Sequence, residues 1–347
     1  METKRIPIRS ILEDHQGVEQ AAALLRAGGV VAIPTETVYG LAANAYDGGA
    51  VEKIFQAKGR PMDNPLIVHI SEFDMLPDLV ENIPEEALEL ARLYWPGPLT
   101  MILPKSDRVP AEVSAGLPTV AIRMPANTVA RGIIGACGFP LAAPSANRSG
   151  SPSPTTADHV LQDLDGRVDG VVLSAPATVG LESTVVSLAG LSKGERPRLL
   201  RPGAVTPDML RAAVGEIDVD PAVLHQLEEG RPAASPGMKY KHYAPRARVI
   251  LVEGDRAAYT AYINRREQAG ACALCFQEEA EDLALPAVVY GRADDPDSQA
   301  RGLFDALRRV DEAGYASAYA HAPEKEGVGL AVYNRLIRAA AFQVVRL

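Results

Sequence analysis

Between Gly28 and Gly203 the chain is built from short apolar runs that proline, glycine or a charged residue cuts off. Gly28-Gly29 leads into Val30-Val31-Ala32-Ile33, and Pro34 stops it. Runs of this length are too short for a stable helix and fit buried strands. Each run gives way to polar residues. Thr35-Glu36-Thr37-Val38-Tyr39-Gly40 comes after the first, and His69 ends Leu66-Ile67-Val68. Arg123 closes Val120-Ala121-Ile122, and Leu141-Ala142-Ala143 leads to Pro144-Ser145-Ala146-Asn147. A sheet whose strand ends carry hydroxyls, an imidazole and cations places a polar pocket along its edge.

The pattern predicts helices over Val18–Arg26, Gly48–Ala57, Pro84–Tyr94 and Thr128–Ala136, the last capped by Asn127. Further strands are expected at Leu99–Leu103, Gly170–Leu173, Thr184–Leu188 and Arg198–Leu200. Strand–helix alternation is too irregular for a doubly wound sheet. The expected fold is α/β of the α+β kind, an open twisted mixed sheet with flanking helices over residues 1–215. Residues 216–248 read as a connection, with Arg231-Pro-Ala-Ala-Ser-Pro-Gly237 linker-like. Its end, Met238-Lys-Tyr-Lys-His-Tyr-Ala-Pro245, is too aromatic and cationic for a plain tether. Strands and helices alternate regularly over 249–347, which fits a smaller Rossmann-like α/β domain. No Gly-x-Gly-x-x-Gly and no phosphate-loop motif occurs anywhere. Side chains and ordinary loop amides would therefore have to hold any nucleotide.

Lys and Arg total 35 against 44 Asp and Glu, a net charge of −9. That balance disfavours non-specific nucleic-acid binding, which needs clustered cations. Three cysteines make no disulfide framework. Cys272-x-x-Cys275 is half a zinc or redox motif, but Ala271–Phe276 reads as a buried strand, so core packing is expected and no metal site. No apolar run approaches membrane-spanning length and no signal-peptide pattern opens the chain, so the expectation is a cytoplasmic protein without a membrane partner.

Taken singly, each polar position has two readings. Lys58 and Arg60 are phosphate-binding cations on one side of an extended loop, or solvated charges after a helix. Thr35 and Thr37 hold a small ligand or cap a turn. His69 is a ligand-facing base or a satisfied core histidine. Arg123 anchors a carboxylate or forms an internal ion pair. Ser145 and Asn147 contact phosphate or ribose, or simply close a turn.

As a set they carry more. Lys58-Gly-Arg60, Asn64-Pro-Leu-Ile-Val-His69, Trp95-Pro-Gly-Pro-Leu-Thr100, Val120-Ala-Ile-Arg-Met-Pro125, Ser145-Ala-Asn147, Leu181-Glu-Ser-Thr184 and Ser235-Pro-Gly-Met-Lys-Tyr-Lys-His-Tyr-Ala-Pro245 occur in order. In these motifs the chain resembles the threonylcarbamoyl-AMP synthases of the long, two-domain form, over essentially its whole length. The resemblance implies a YrdC-like sheet around a large positive cavity. It also implies a reaction of L-threonine, bicarbonate and ATP that yields threonylcarbamoyl-AMP and pyrophosphate, without tRNA. Downstream tRNA threonylcarbamoyl-transfer proteins would use the product. Carried across residue by residue, Lys58 and Arg60 are the catalytic cations. Asn64, Thr119, Ser145, Asn147, Ser153, Arg201 and Tyr243 join them around ATP. Thr37, His69, Arg123, Ala143 and Ser183 surround the threonine. Magnesium is the implied counter-ion of ATP, with no tightly bound cofactor and a monomeric protein. Lys241, His242 or Tyr243 would close over the bound substrates. The rival readings are an RNA-binding module with a YrdC-like cavity, and a carbamoyltransferase of the hydrogenase-maturation type. The latter belongs to a larger assembly with zinc-finger cysteines, which three cysteines do not supply.

Overall fold

The computed structural model describes residues 2–226, 243–266 and 269–347. Lys241 and His242 lie outside the described residues.

Eleven strands form the first sheet. They are β1 Lys4–Pro7, β2 Val31–Ile33, β3 Gly40–Asn44, β4 Ile67–His69, β5 Leu99–Pro104, β6 Thr119–Arg123, β7 Leu141–Ala142, β8 Gly170–Leu173, β9 Thr184–Ser187, β10 Arg198–Arg201 and β11 Asp218–Val219. Their spatial order is β1-β8-β2-β3-β7-β4-β6-β5-β9-β10-β11, with parallel and antiparallel neighbours mixed. The helices are α1 His15–Arg26, α2 Gly48–Lys58, α3 Glu85–Tyr94, α4 Ala111–Ser114, α5 Thr128–Cys137, α6 Ala157–Leu164 and α7 Pro207–Val214.

One apolar cluster joins α1 and α5 to Val31, Ile33 and Ala42. Another joins α2 and α3 to Val30, Ala32, Leu41 and Val68. Both faces of the central strands are thus covered, which is why these strands read as continuous apolar runs and not as alternating ones. Asn127 caps α5 as expected, accepting from the Ala130 amide at 3.1 Å. Edge strand β1 and β3, which begins at a glycine, escaped the sequence reading, as did α6 and α7. The sheet also continues past Gly215: β11 pairs in parallel with β10, within the stretch expected to be a connection. Its two residues are too short a run to register as a strand.

The second sheet is all parallel and holds β12 Arg248–Glu253, β13 Ala271–Phe276, β14 Ala287–Gly291, β15 Ser317–His321 and β16 Val344–Arg346. Helices α8 Arg256–Asn264, α9 Pro296–Glu312 and α10 Gly327–Ala339 lie between its strands in sequence. The order β14-β13-β15-β12-β16 is layered α/β, as expected. It departs from the Rossmann order because the fourth strand sits between the second and the first. Cys272 and Cys275, three apart on β13, belong to apolar clusters on opposite faces. They cannot chelate one ion together, and burial pushes both thiols up to about 12. No helix among the described residues is long and apolar enough to cross a membrane.

Candidate functional site

The polar strand ends converge on one edge of the first sheet. The neighbours β3, β7, β4, β6, β5, β9 and β10 bring together the 34–39 turn, His69, Arg123, the 143–145 turn, Ser183 and Arg201. The resulting cleft encloses about 550 Å³ of empty space, open solvent at its mouth included. Thr37, His69, Arg123, Ala143 and Ser183 line it, with Arg60, Ser145, Arg201 and Tyr243. Thr35 lines it too.

Register explains the side around Arg123. His69 and Arg123 are partners on parallel β4 and β6 and point to the same face. The Arg123 guanidinium is held from three directions. It donates to Thr37 Oγ1 at 2.7 Å, to Glu36 Oε1 at 2.5 Å and to the Gly97 carbonyl at 3.2 Å. Arg123 thus forms an internal ion pair and also lines the cleft. Burial opposes ionisation of Glu36, but Arg123 and backbone amides hold its carboxyl below the usual range.

The His69 Nδ1 lies 3.1 Å from the Ile67 carbonyl, so this nitrogen carries the proton and donates. Burial, then Arg123, depress the imidazole to about 3, so it is neutral under all ordinary conditions. The sign of the consequence is fixed. Below about 6.5 the unfolded chain binds a proton here that the folded one refuses, so stability falls as pH drops from about 6.5 towards about 3. The slope from this group is at most ~1.4 kcal/mol per pH unit. Urea unfolding of His69→Gln between pH 7 and 4 should show a shallower acid loss than wild type.

The opposite wall differs from the sequence expectation. Lys58 is the last residue of α2, and Gly59 takes a left-handed φ of 63° to end the helix. The segment is not extended, so Lys58 and Arg60 do not face one way. Lys58 is buried and does not line the cleft. Its ammonium donates to the carbonyls of Ser145 at 2.5 Å and Asn147 at 2.6 Å, and lies 3.5 Å from Asn147 Oδ1. It thereby shapes the Ser-x-Asn turn. Burial, with Arg60 nearby, pushes its proton affinity well below that of a free lysine. Asn147 Nδ2 in turn donates to the Arg148 and Ser151 carbonyls. Arg60 does face the cleft and donates to the Asn64 carbonyl at 3.3 Å. Burial lowers its guanidinium to about 10, still charged at neutral pH. The Asn64 side-chain oxygen is buried with no hydrogen-bond partner among the described residues.

Besides Lys58, four more expected positions, Asn64, Asn147, Thr119 and Ser153, do not line the cleft. Thr119 starts β6, on the same face as Arg123 but four residues, about 13 Å, away along the strand. Ser153 is fully buried and gives its hydroxyl to Glu182 Oε1 at 2.5 Å.

Glu36, Glu182, Thr100 and Arg335 are parts of the site that the sequence reading did not select. Thr100 Oγ1 lies 2.7 Å from Ser183 Oγ. Glu182 lines the cleft and pairs with Arg335 of α10 at 2.9 Å. Both carboxylates sit next to selected residues, but only contacts give them a role. Arg335 sits in a helix buried from Gly329 to Ala339. A helix covered on all sides can mark an interdomain contact, which was the one available signal. Close approach explains one glycine. A Cβ on Gly203 would stand 2.4 Å from the Thr184 amide, so only glycine lets the Arg201 loop lie against the Ser183 loop.

Comparison with known proteins places the whole chain in one family. The Sua5/YciO/YrdC family model, described as "Telomere recombination", matches residues 23–203, and the model "Threonylcarbamoyl-AMP synthase, C-terminal domain" matches 205–341. The chain is 47% identical to the threonylcarbamoyl-AMP synthase of Bacillus subtilis, over 95% of this chain and 94% of that one. It is 43% identical to that of Pyrococcus abyssi, over 99% of both. The crystal structure of P. abyssi Sua5 complexed with L-threonine superposes with a TM-score of 0.90, at 40% identity and full coverage of both chains. With a cleft assembled from the strand ends of one mixed sheet and matches spanning both of its units, the chain belongs to the threonylcarbamoyl-AMP synthase family, in the form that carries the C-terminal domain.

Proposed function

We infer that the protein condenses L-threonine, bicarbonate and ATP into threonylcarbamoyl-AMP and pyrophosphate. The observation that carries this reading is one cleft with two chemically different walls. Arg123, neutral His69, Thr37, Ala143 and Ser183 form a wall suited to an amino acid. Arg60, Ser145, Arg201 and Tyr243 form one suited to a nucleotide.

Arg123 keeps N–H groups beyond those its protein partners use, and these would take the threonine carboxylate. His69 accepts at Nε2, and with the hydroxyls of Thr37 and Ser183 it would orient the amine and side-chain hydroxyl. The amine first adds to bicarbonate and loses water to give a carbamate. A carbamate oxygen then attacks the α-phosphorus and pyrophosphate leaves. No nucleophilic side chain is required. The site acts by positioning and by charge, with Arg60 and Arg201 facing the phosphates and Lys58 acting through the turn it holds. Asn64, with its unpartnered oxygen, and Asn147 extend this wall. Thr119 and Ser153 would contact the nucleotide only at its far end or after a shift. Among the described residues no cluster of three or more His, Cys, Asp or Glu could hold a metal. Magnesium would therefore arrive with ATP, held by phosphate and water. Tyr243 would shield the carbamate and product from water. We also propose a first unit that runs from the N-terminal strand through β11, a second over 249–347 and a covering connection between them, a monomer, a cytoplasmic location, and hand-over of the product to tRNA-modifying transferases.

The test is pyrophosphate release from ATP with bicarbonate and magnesium, with and without threonine. Threonine-dependent release, with serine much weaker, is expected. ATP binding without threonine dependence would overturn the reading and return to the RNA-binding alternative, checked by the salt dependence of RNA affinity.

A further inference from the structure

We propose that Arg335 of the C-terminal unit is a positioning residue of the active site, fixing the two loops that present Ser183 and Arg201. The proposal rests on the synthase reading above, with Ser183 on the threonine side and Arg201 on the nucleotide side.

Arg335 is fully buried, so its guanidinium has no water to satisfy it. Apart from the neighbouring Asn334, its partners are loop atoms of the other unit. Nε donates to Glu182 Oε2 at 2.9 Å, and Nη2 to the Glu182 carbonyl at 3.1 Å. Nη1 donates to the Pro202 carbonyl at 2.7 Å and to Asn334 Oδ1 at 3.0 Å. Glu182 directly precedes Ser183, and Pro202 directly follows Arg201. One planar fork therefore spans both loops one residue away from each cleft-facing side chain. The loops are joined on the cleft side as well, where Arg201 donates to the Ser183 carbonyl at 3.0 Å and to its hydroxyl at 3.1 Å. The Arg335 guanidinium also lies 5.8 Å from the ring centroid of Tyr243, the third cleft residue of this corner. Neighbouring bonds reinforce the docking. Asn334 donates to the Val223 carbonyl, Arg338 to that of Ala222, and Arg308 of α9 to that of Pro152, beside Ser153.

Lysine at this position would keep the charge but not the fork, since one ammonium cannot span a carboxylate and two carbonyls on separate loops. The experiment compares wild type with Arg335→Lys, Arg335→Met and the double variant Glu182→Gln/Arg335→Met, each as the full chain. Threonine-dependent pyrophosphate release is measured against both substrates, with the folded fraction taken from thermal denaturation. The expected result for both Arg335 single variants is a fall in kcat per folded molecule of about tenfold to a hundredfold, with KM raised for threonine and for ATP together. A purely structural role would lower the thermal midpoint and the active fraction but leave both KM values unchanged, and that result would overturn the proposal. So would normal kinetics. Should Arg335→Met fail to fold, the lysine and double variants carry the same test, because neither leaves Glu182 as a lone buried charge. Wild type without threonine-dependent release would instead overturn the synthase reading, and the proposal with it.

Discussion

Replacing Lys58 by alanine is expected to slow threonine-dependent pyrophosphate release by ~10²-fold or more. The lysine acts in two ways. It contributes positive charge close to the wall where phosphate charge would develop. It also holds the carbonyls of Ser145, which lines that wall, and of Asn147. Alanine removes the charge and leaves buried carbonyl oxygens unpaired, so the turn relaxes as well. Stability is a poor readout, because the desolvation cost of the ammonium disappears with it. Turnover per folded molecule at saturating ATP and threonine is the measurement. Near-normal turnover would remove Lys58 from the catalytic set and leave Arg60 and Arg201 to act alone.

Arg123→Ala is expected to be the most damaging single change to stability. It strands the Glu36 carboxylate, buried at 9% exposure, and deprives Thr37 and the Gly97 carbonyl of their donor. Breaking a buried pair in this way costs ~3–5 kcal/mol, a large share of the stability of an ordinary domain. The double variant Arg123→Met/Glu36→Gln separates the two roles of the arginine. With no uncompensated charge it should recover most of the thermal midpoint, while threonine affinity, measured calorimetrically, stays lost. Recovery of threonine binding in that variant would show that Arg123 holds the fold and not the carboxylate.

The residues differ in how visible their roles were. His69 and Arg123 end apolar runs, so one strand-end argument placed both at the sheet edge, and β-sheet register then set them side by side. Ser145 was placed by the same argument. Lys58 and Arg60 looked equivalent in sequence. The left-handed turn at Gly59 separated them, sending one side chain under the Ser-x-Asn turn and the other into the cleft. Ser153 carries no local sign that its hydroxyl meets Glu182, 29 residues later. Asn127 and its helix were legible because a cap is a local device.

Local sequence was enough for most of the short buried strands, for helices α1, α2, α3 and α5, for the layered α/β second unit and for the motif set that identifies the family. Each depends on periodicity, turn chemistry or an ordered string of residues. Other features came from packing in three dimensions: the order of the eleven strands, the extension of the sheet through β11, the embrace of Arg123 by Glu36 and Thr37, and the reach of Arg335 into the Ser183 and Arg201 loops. The physical reason is separation along the chain. Arg123 and Glu36 lie 87 residues apart, and Arg335 and Glu182 lie 153 apart. No propensity or period spans such distances. Only the closing of both cores, which makes a buried charge seek the partner that packing puts in reach, brings them together.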